Sequence, residues 1–163
     1  MPGPRESTVE IRKASIGDAP VLSALALEAK AQWGYTTQLI EAWRDSLQVS
    51  ASDVAARPVF VAAVEDRIVG FSSLMPLAAA WELDNLFVAP AMMNRGTGRA
   101  LLEHALDFAF ARGAPEVTVD ADPNAERFYL ACGARRLGEV AAPIPGRPDR
   151  VRPQLAFSRP ATR

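Results

Sequence analysis

The sequence predicts a mixed α/β fold, a mostly antiparallel sheet with one βαβ crossover flanked by helices, and three features predict it. Apolar runs at 59–64 and 68–74, joined by the polar Glu65-Asp66-Arg67 turn, are followed by a third at 80–88, the pattern of a meander. An amphipathic stretch at 96–112 lies between the last of these runs and a further one at 116–119, which is the order of a parallel crossover. The chain has 163 residues, 49% of them hydrophobic and 23% charged, enough for one sizeable core and ordinary for a globular protein. Residues 1–163 are read as one domain, with 1–7 a short polar tail.

Taken in order, Val9–Lys13 alternates as a first strand. Asp18 is placed to N-cap a helix bearing Val21, Leu22, Leu25, Ala26 and Ala29 on one face. A second helix starts at Thr36 or Thr37 and carries Leu39, Ile40, Trp43 and Leu47, after which Ser50–Arg57 reads as a connection. Pro58 introduces the strand 59–64, and the Glu65-Asp66-Arg67 turn folds it back on Ile68–Leu74; Ala80–Val88 completes the meander. Within 96–112, Leu101, Leu102, Ala105, Leu106 and Ala109 form the stripe of a helix packed on a sheet, and Gly113 is placed to stop it. Glu116–Val119 is a strand, and Ala125–Ala131 is a short helix closed by Gly133. Arg136–Val140 and Gln154–Phe157 are closing strands around a loop rich in proline and glycine.

Several functions are disfavoured at once. The net charge of −1 gives no basic footprint, so nucleic acid is not expected as a partner. With Cys132 and His104 each the sole residue of its type, neither a disulfide framework nor a conventional zinc site or Ser-His triad can be assembled, and no metal is expected. No apolar run has the length of a membrane span or the form of a signal peptide, so the expected location is cytoplasmic and no membrane partner is expected.

In an α/β sheet the usual ligand site lies at strand carboxyl ends, here between Ala80–Val88 and Glu116–Val119. The run Ala89–Arg99 that follows the first of these is a strand exit, a glycine loop and a helix start. Amides at a helix N-terminus attract phosphate, and Gly96 and Gly98 let the backbone come close, with Arg95 and Arg99 beside them. The dinucleotide fingerprint is absent because no third glycine follows at its offset, and no Gly-Lys-Ser/Thr is present for a P-loop.

Gly96-Thr97-Gly98 ahead of a helix, with Leu83, Leu86, Val88 and Pro90 in the strand exit, resembles the GNAT acetyltransferase family. Asp122–Ala134, with Ala125, Phe128, Tyr129 and Gly133, is similar to a second segment of that family, in the same order, and the resemblance spans roughly 59–140. Ile144–Arg147 also resembles a loop found in some members. Met93 departs from the family's Gln or Arg, and Ala134 from its Phe; either Asp122 or Asn124 fills the position of its cofactor-binding Asn.

The resemblance implies the GNAT acyl-CoA N-acyltransferase fold and an acetyl-CoA-dependent N-acetyltransferase acting by direct transfer in a ternary complex. It implies acetyl-CoA held by Leu86, Phe87, Val88, Met93, Asn94, Arg95, Gly96, Thr97, Gly98, Arg99, Asn124 and Phe128. Tyr129 resembles the tyrosine that protonates the coenzyme A sulfur, and Glu82 the position from which a base acts directly or through water, with Asp84 in reserve. A bulge in the strand would aim a main-chain N–H near Leu86 or Phe87 at the acetyl carbonyl. Trp33 and Tyr35, around Gly34, lie where the family shapes its acceptor pocket, with Asp84 a further acceptor contact. Each position has a plainer reading as well: an edge-strand charge for Glu82, a helix tyrosine for Tyr129, core packing for Trp33 and Tyr35. His104 and Cys132 are read as packing residues. The expected partner is a small-molecule or peptide amine, and a homodimer is compatible with the family's habits. The alternative reading is a catalytically silent GNAT-fold binding or regulatory module; a nucleic-acid or protein-interaction domain is the weakest.

Overall fold

A computed structural model describes residues 8–161; the tail read at 1–7 lies outside them. The elements are β1 (Glu10–Lys13), α1 (Ala19–Ala31), α2 (Thr37–Leu47), α3 (Ala51–Ala56), β2 (Val59–Val64), β3 (Arg67–Met75), β4 (Trp81–Val88), α4 (Thr97–Ala111), β5 (Glu116–Asp120), α5 (Glu126–Ala131), β6 (Arg135–Ala141) and β7 (Val151–Ser158). The strands form a seven-stranded sheet in the order β1-β2-β3-β4-β5-β7-β6. β1 with β2, β2 with β3, β5 with β7 and β6 with β7 run antiparallel, whereas β4 and β5 are parallel through the pairs Trp81↔Val117 and Glu82↔Thr118. The predicted mixed sheet and its crossover are therefore present. Within the described residues the chain divides into two compact units, 8–73 with 85–105 and 74–84 with 106–161.

In the first unit, β2 is covered on both faces, so its apolar run is continuous rather than alternating. Val59 and Val61 pack with Phe71 of β3 and with Leu22, Leu25, Ala26 and Val54 of α1 and α3. Ala62 packs with Val69 and with Leu101 of α4. Each fully buried Leu or Phe contributes about 2 kcal/mol. The register slips between Ala62 and Ala63, which leaves Val69 as the extra residue of a bulge in β3. Next to it Gly70 is a steric necessity: a Cβ there would stand 2.9 Å from Leu101 Cδ1 and 3.0 Å from the Phe87 carbonyl oxygen. The β2–β3 turn uses Glu65 and Asp66 at φ 50° and 65°, the two left-handed positions of a two-residue hairpin, without a glycine.

Three local expectations are corrected. Ser50–Arg57 is not a plain connection, because Ser50 Oγ accepts from the Asp53 N–H at 3.0 Å and Asp53 accepts from the Ser50 N–H at 3.1 Å. That capping box starts α3, and Val54 anchors it in the core. Asp18 precedes α1 but does not cap it; its carboxylate accepts from the Ser15 N–H at 2.8 Å and from Arg12 at 2.9 Å, closing the 3₁₀ turn Ile16–Asp18 instead. The Arg12 hydrogen bond holds the Asp18 carboxyl below its usual range. Val21 is exposed, since Leu22, Leu25, Ala26 and Ala29 already complete a stripe at helical spacing with Ala19.

In the second unit, Val117, Val119, Leu155, Ala156 and Phe157 are buried on β5 and β7, and Trp81 meets Phe108 of α4 at 6.3 Å. Helix α4 ends as predicted at Gly113, φ 87°, where the Ala114 N–H donates to the Ala109 carbonyl and the Gly113 N–H to that of Phe110. Gly133, φ 102°, ends α5 in the same manner with Ala134 donating to the Tyr129 carbonyl.

Candidate active site

The loop from β4 to α4 is built from tight turns. The Ala89 N–H donates to the Val69 carbonyl at 2.8 Å, fixing the strand exit against β3. Pro90–Met92 then forms a 3₁₀ turn, and Met92 packs in the apolar cluster of Leu86, Val88 and Leu101. Asn94 and Gly96 both take left-handed conformations, φ 63° and 82°, and nothing lies within 4 Å of where a Gly96 Cβ would project. The Gly96 carbonyl accepts from the Ala100 N–H at 3.0 Å, so the first-turn amides of Thr97 and Gly98 have no acceptor within the helix. Thr97 is 2% exposed, and its hydroxyl has no hydrogen-bond partner among the described residues. Met93, Asn94, Arg95 and Arg99 are exposed along this loop and first turn.

The last residues of β4 separate by face as strand alternation requires. Leu86 and Val88 pack toward Leu101, whereas Phe87 packs toward the α1 side and lies 5.8 Å from Phe71. Their side chains serve the core, which leaves the main chain as what these positions present to a ligand. Asn85 Nδ2 donates to Ser73 Oγ at 2.8 Å and ties β4 to β3.

The predicted pair Trp33 and Tyr35 are brought together with two residues that the sequence reading did not assign to a site. Lys30 Nζ lies 5.3, 5.6 and 5.1 Å from the ring centroids of Trp33, Tyr35 and Trp43, and the Tyr35 ring meets Trp43 edge-on at 4.9 Å. Tyr35 is buried, so it is a packing residue of the α1–α2 turn, while Trp33 stays half-buried. The three-residue step from Lys30 to Trp33 at the end of a helix was the available signal. His104 packs edge-on against Phe60 at 4.6 Å, in keeping with its packing role.

In the second unit, Glu82 is half-buried next to its β5 partner Thr118, and Asp84 is exposed. Tyr129 is buried on α5 with its ring 5.2 Å from Phe128 and 6.4 Å from Phe157 of β7. Burial pushes its phenol well above the ordinary value, and the Cys132 and Asp122 charges add to this, so it is a neutral O–H donor throughout the physiological range. Asp122 caps the 3₁₀ turn Pro123–Ala125: Oδ1 accepts from the Asn124 N–H at 2.8 Å and from Asn124 Nδ2 at 2.9 Å. Asp122 also faces Arg150, a contact 28 residues apart in sequence that no local pattern announces.

The sequence profile of the Acetyltransferase (GNAT) family matches residues 23–134. Solved structures agree in fold. The chain aligns over 93% of its length with 99% of the PaiA N-acetyltransferase of Thermoplasma acidophilum in complex with coenzyme A, at 20% identity and TM-score 0.72. It aligns over 93% with 96% of a GCN5-related N-acetyltransferase of Rhodopseudomonas palustris, at 26% identity and TM-score 0.71. YncA of Salmonella typhimurium, solved with acetyl-CoA, aligns over 96% of this chain and 97% of its own at 17% identity and TM-score 0.71. Comparison with curated proteins gives no match.

Proposed function

Because this chain belongs to the GNAT acetyltransferase family, we propose that it transfers the acetyl group of acetyl-CoA to a primary amine by direct attack in a ternary complex. The observation that carries the reading is the start of α4. A buried, unpartnered Thr97 hydroxyl, first-turn amides with no acceptor inside the helix and open space before Gly96 together fit a polyanion such as a pyrophosphate. The loop of 93–99 holds it, with Arg95 and Arg99 as charge partners. Structures of similarly folded proteins, one with coenzyme A and one with acetyl-CoA, support the choice of acetyl-CoA. When bound, it supplies a thioester whose carbonyl accepts a nucleophile.

The chain's own groups then have distinct tasks. A main-chain N–H near Leu86 or Phe87 polarises the carbonyl, since the side chains there are committed to the core. Phe128 and Asn124 contact the cofactor at the α5 turn. Glu82 takes the amine proton, directly or through water, with Asp84 the reserve base. Tyr129, kept neutral by burial, protonates the departing sulfur. Trp33, half-buried at the α1–α2 turn, contacts the acceptor, with Asp84 a further contact and Tyr35 left to packing. The test is a panel of polyamines, amino acids and peptide N-termini assayed for thiol release with wild type, Glu82→Gln and Tyr129→Phe. Release with at least one amine, reduced in both variants, is the expected result; unchanged release in both overturns the assignments.

A further inference from the structure

Asp122 and Arg150 are buried opposite charges, 5% and 7% exposed, with Arg150 Nη2 3.5 Å from Asp122 Oδ2. Charges persist at such burial only when paired and hydrogen-bonded. Asp122 is further satisfied by both Asn124 donors at the turn that launches α5. Arg150 is held from its own side: its Nη1 donates to the Ala142 carbonyl at 3.0 Å while the Ala142 N–H donates to the Arg150 carbonyl at 2.9 Å, closing the β6–β7 loop at its base. The guanidinium therefore bolts that loop to the turn seven residues before Tyr129, and it opposes a carboxylate whose charge is felt at the phenol.

We propose that Arg150 is a positioning residue for the proton donor Tyr129, acting through the buried Asp122 carboxylate that caps the turn ahead of α5. The inference rests on the acetyltransferase reading above. In the step it serves, the amine nitrogen bonds to the acetyl carbon and the C–S bond breaks with its electron pair on sulfur. Sulfur then takes the Tyr129 proton, and the phenolate is restored through solvent as Glu82 gives up the proton it took from the amine.

The test uses the full chain, acetyl-CoA and hydroxylamine as a small probe acceptor, so that the natural amine need not be known. Arg150→Gln is expected to lower kcat about tenfold, a part of the ~10²–10⁴ that a general acid contributes, with KM for acetyl-CoA nearly unchanged. In a Tyr129→Phe background the same substitution should cost almost nothing, and Arg150→Lys should recover part of the loss. Asp122→Asn, which keeps the capping acceptor, should make Arg150→Gln nearly silent and serves if Arg150→Gln alone folds poorly. An equal loss with and without Tyr129 means a merely structural role and overturns the inference while leaving the acetyltransferase reading intact. An unimpaired Tyr129→Phe, or wild type that forms no hydroxamate, overturns the acid assignment or the activity itself, and the inference with it.

Discussion

Thr97 presents a conflict between stability and ligand at a single atom. Its buried hydroxyl without a partner costs the fold about 1–3 kcal/mol, a cost that a phosphate oxygen would remove. Thr97→Val should therefore melt at the same temperature or higher in calorimetry while binding acetyl-CoA roughly 5–10-fold more weakly in titration. Tyr129 carries a pH signature. Its phenol is raised in the folded state by burial first, then by Cys132 and Asp122, so the fold holds this proton after the unfolded chain has released it. Stability linked to Tyr129 is complete below its unfolded pKa near 10 and is lost as pH rises further. Chemical denaturation across that alkaline range should show a decline that Tyr129→Phe reduces; identical slopes would mean that the phenol is not buried. The glycine turns were legible because each acts through local geometry: Gly96 by its left-handed φ, Gly133 by closing α5. Arg150 was not legible, because its partner lies 28 residues away and only the fold brings them together.

At the scale of elements, β3 and its neighbours depend on one missing side chain. Gly70→Ala puts a methyl within 3.0 Å of both Leu101 Cδ1 and the Phe87 carbonyl, and α4 or β4 must shift, at a cost of about 1–3 kcal/mol. A fall in denaturation midpoint checks this. The same sheet holds an easy gain: Asp66 pays for a left-handed φ of 65°, so Asp66→Gly should stabilise the hairpin by up to ~1 kcal/mol. Strands and long helices were legible from period, and β2 agrees with its predicted bounds at Val59–Val64. α3 escaped because Ser50, Ser52 and Asp53 resemble loop composition, although Ser50 and Asp53 are a capping pair and Val54 supplies the anchor. Asp18 was misassigned because two helical turns meet there, and its carboxylate serves the earlier one.

For the whole molecule, the sheet order follows from the meander and the single crossover, both visible as runs and breaks in the sequence. Among the described residues, no helix is long and apolar enough to cross a membrane. What the sequence could not convey is the commitment of side chains: Leu86, Phe87 and Val88 pack in the core, which leaves the main chain as what these positions present to a ligand. The central claim, that the start of α4 binds acetyl-CoA, is tested most directly by calorimetric titration of acetyl-CoA into the wild type and a Gly98→Trp variant. The account predicts saturable 1:1 binding by wild type, near micromolar or about −8 kcal/mol, that is lost in the folded variant. A folded wild type that gives no heat of binding, or a variant that binds as well as wild type, would contradict it.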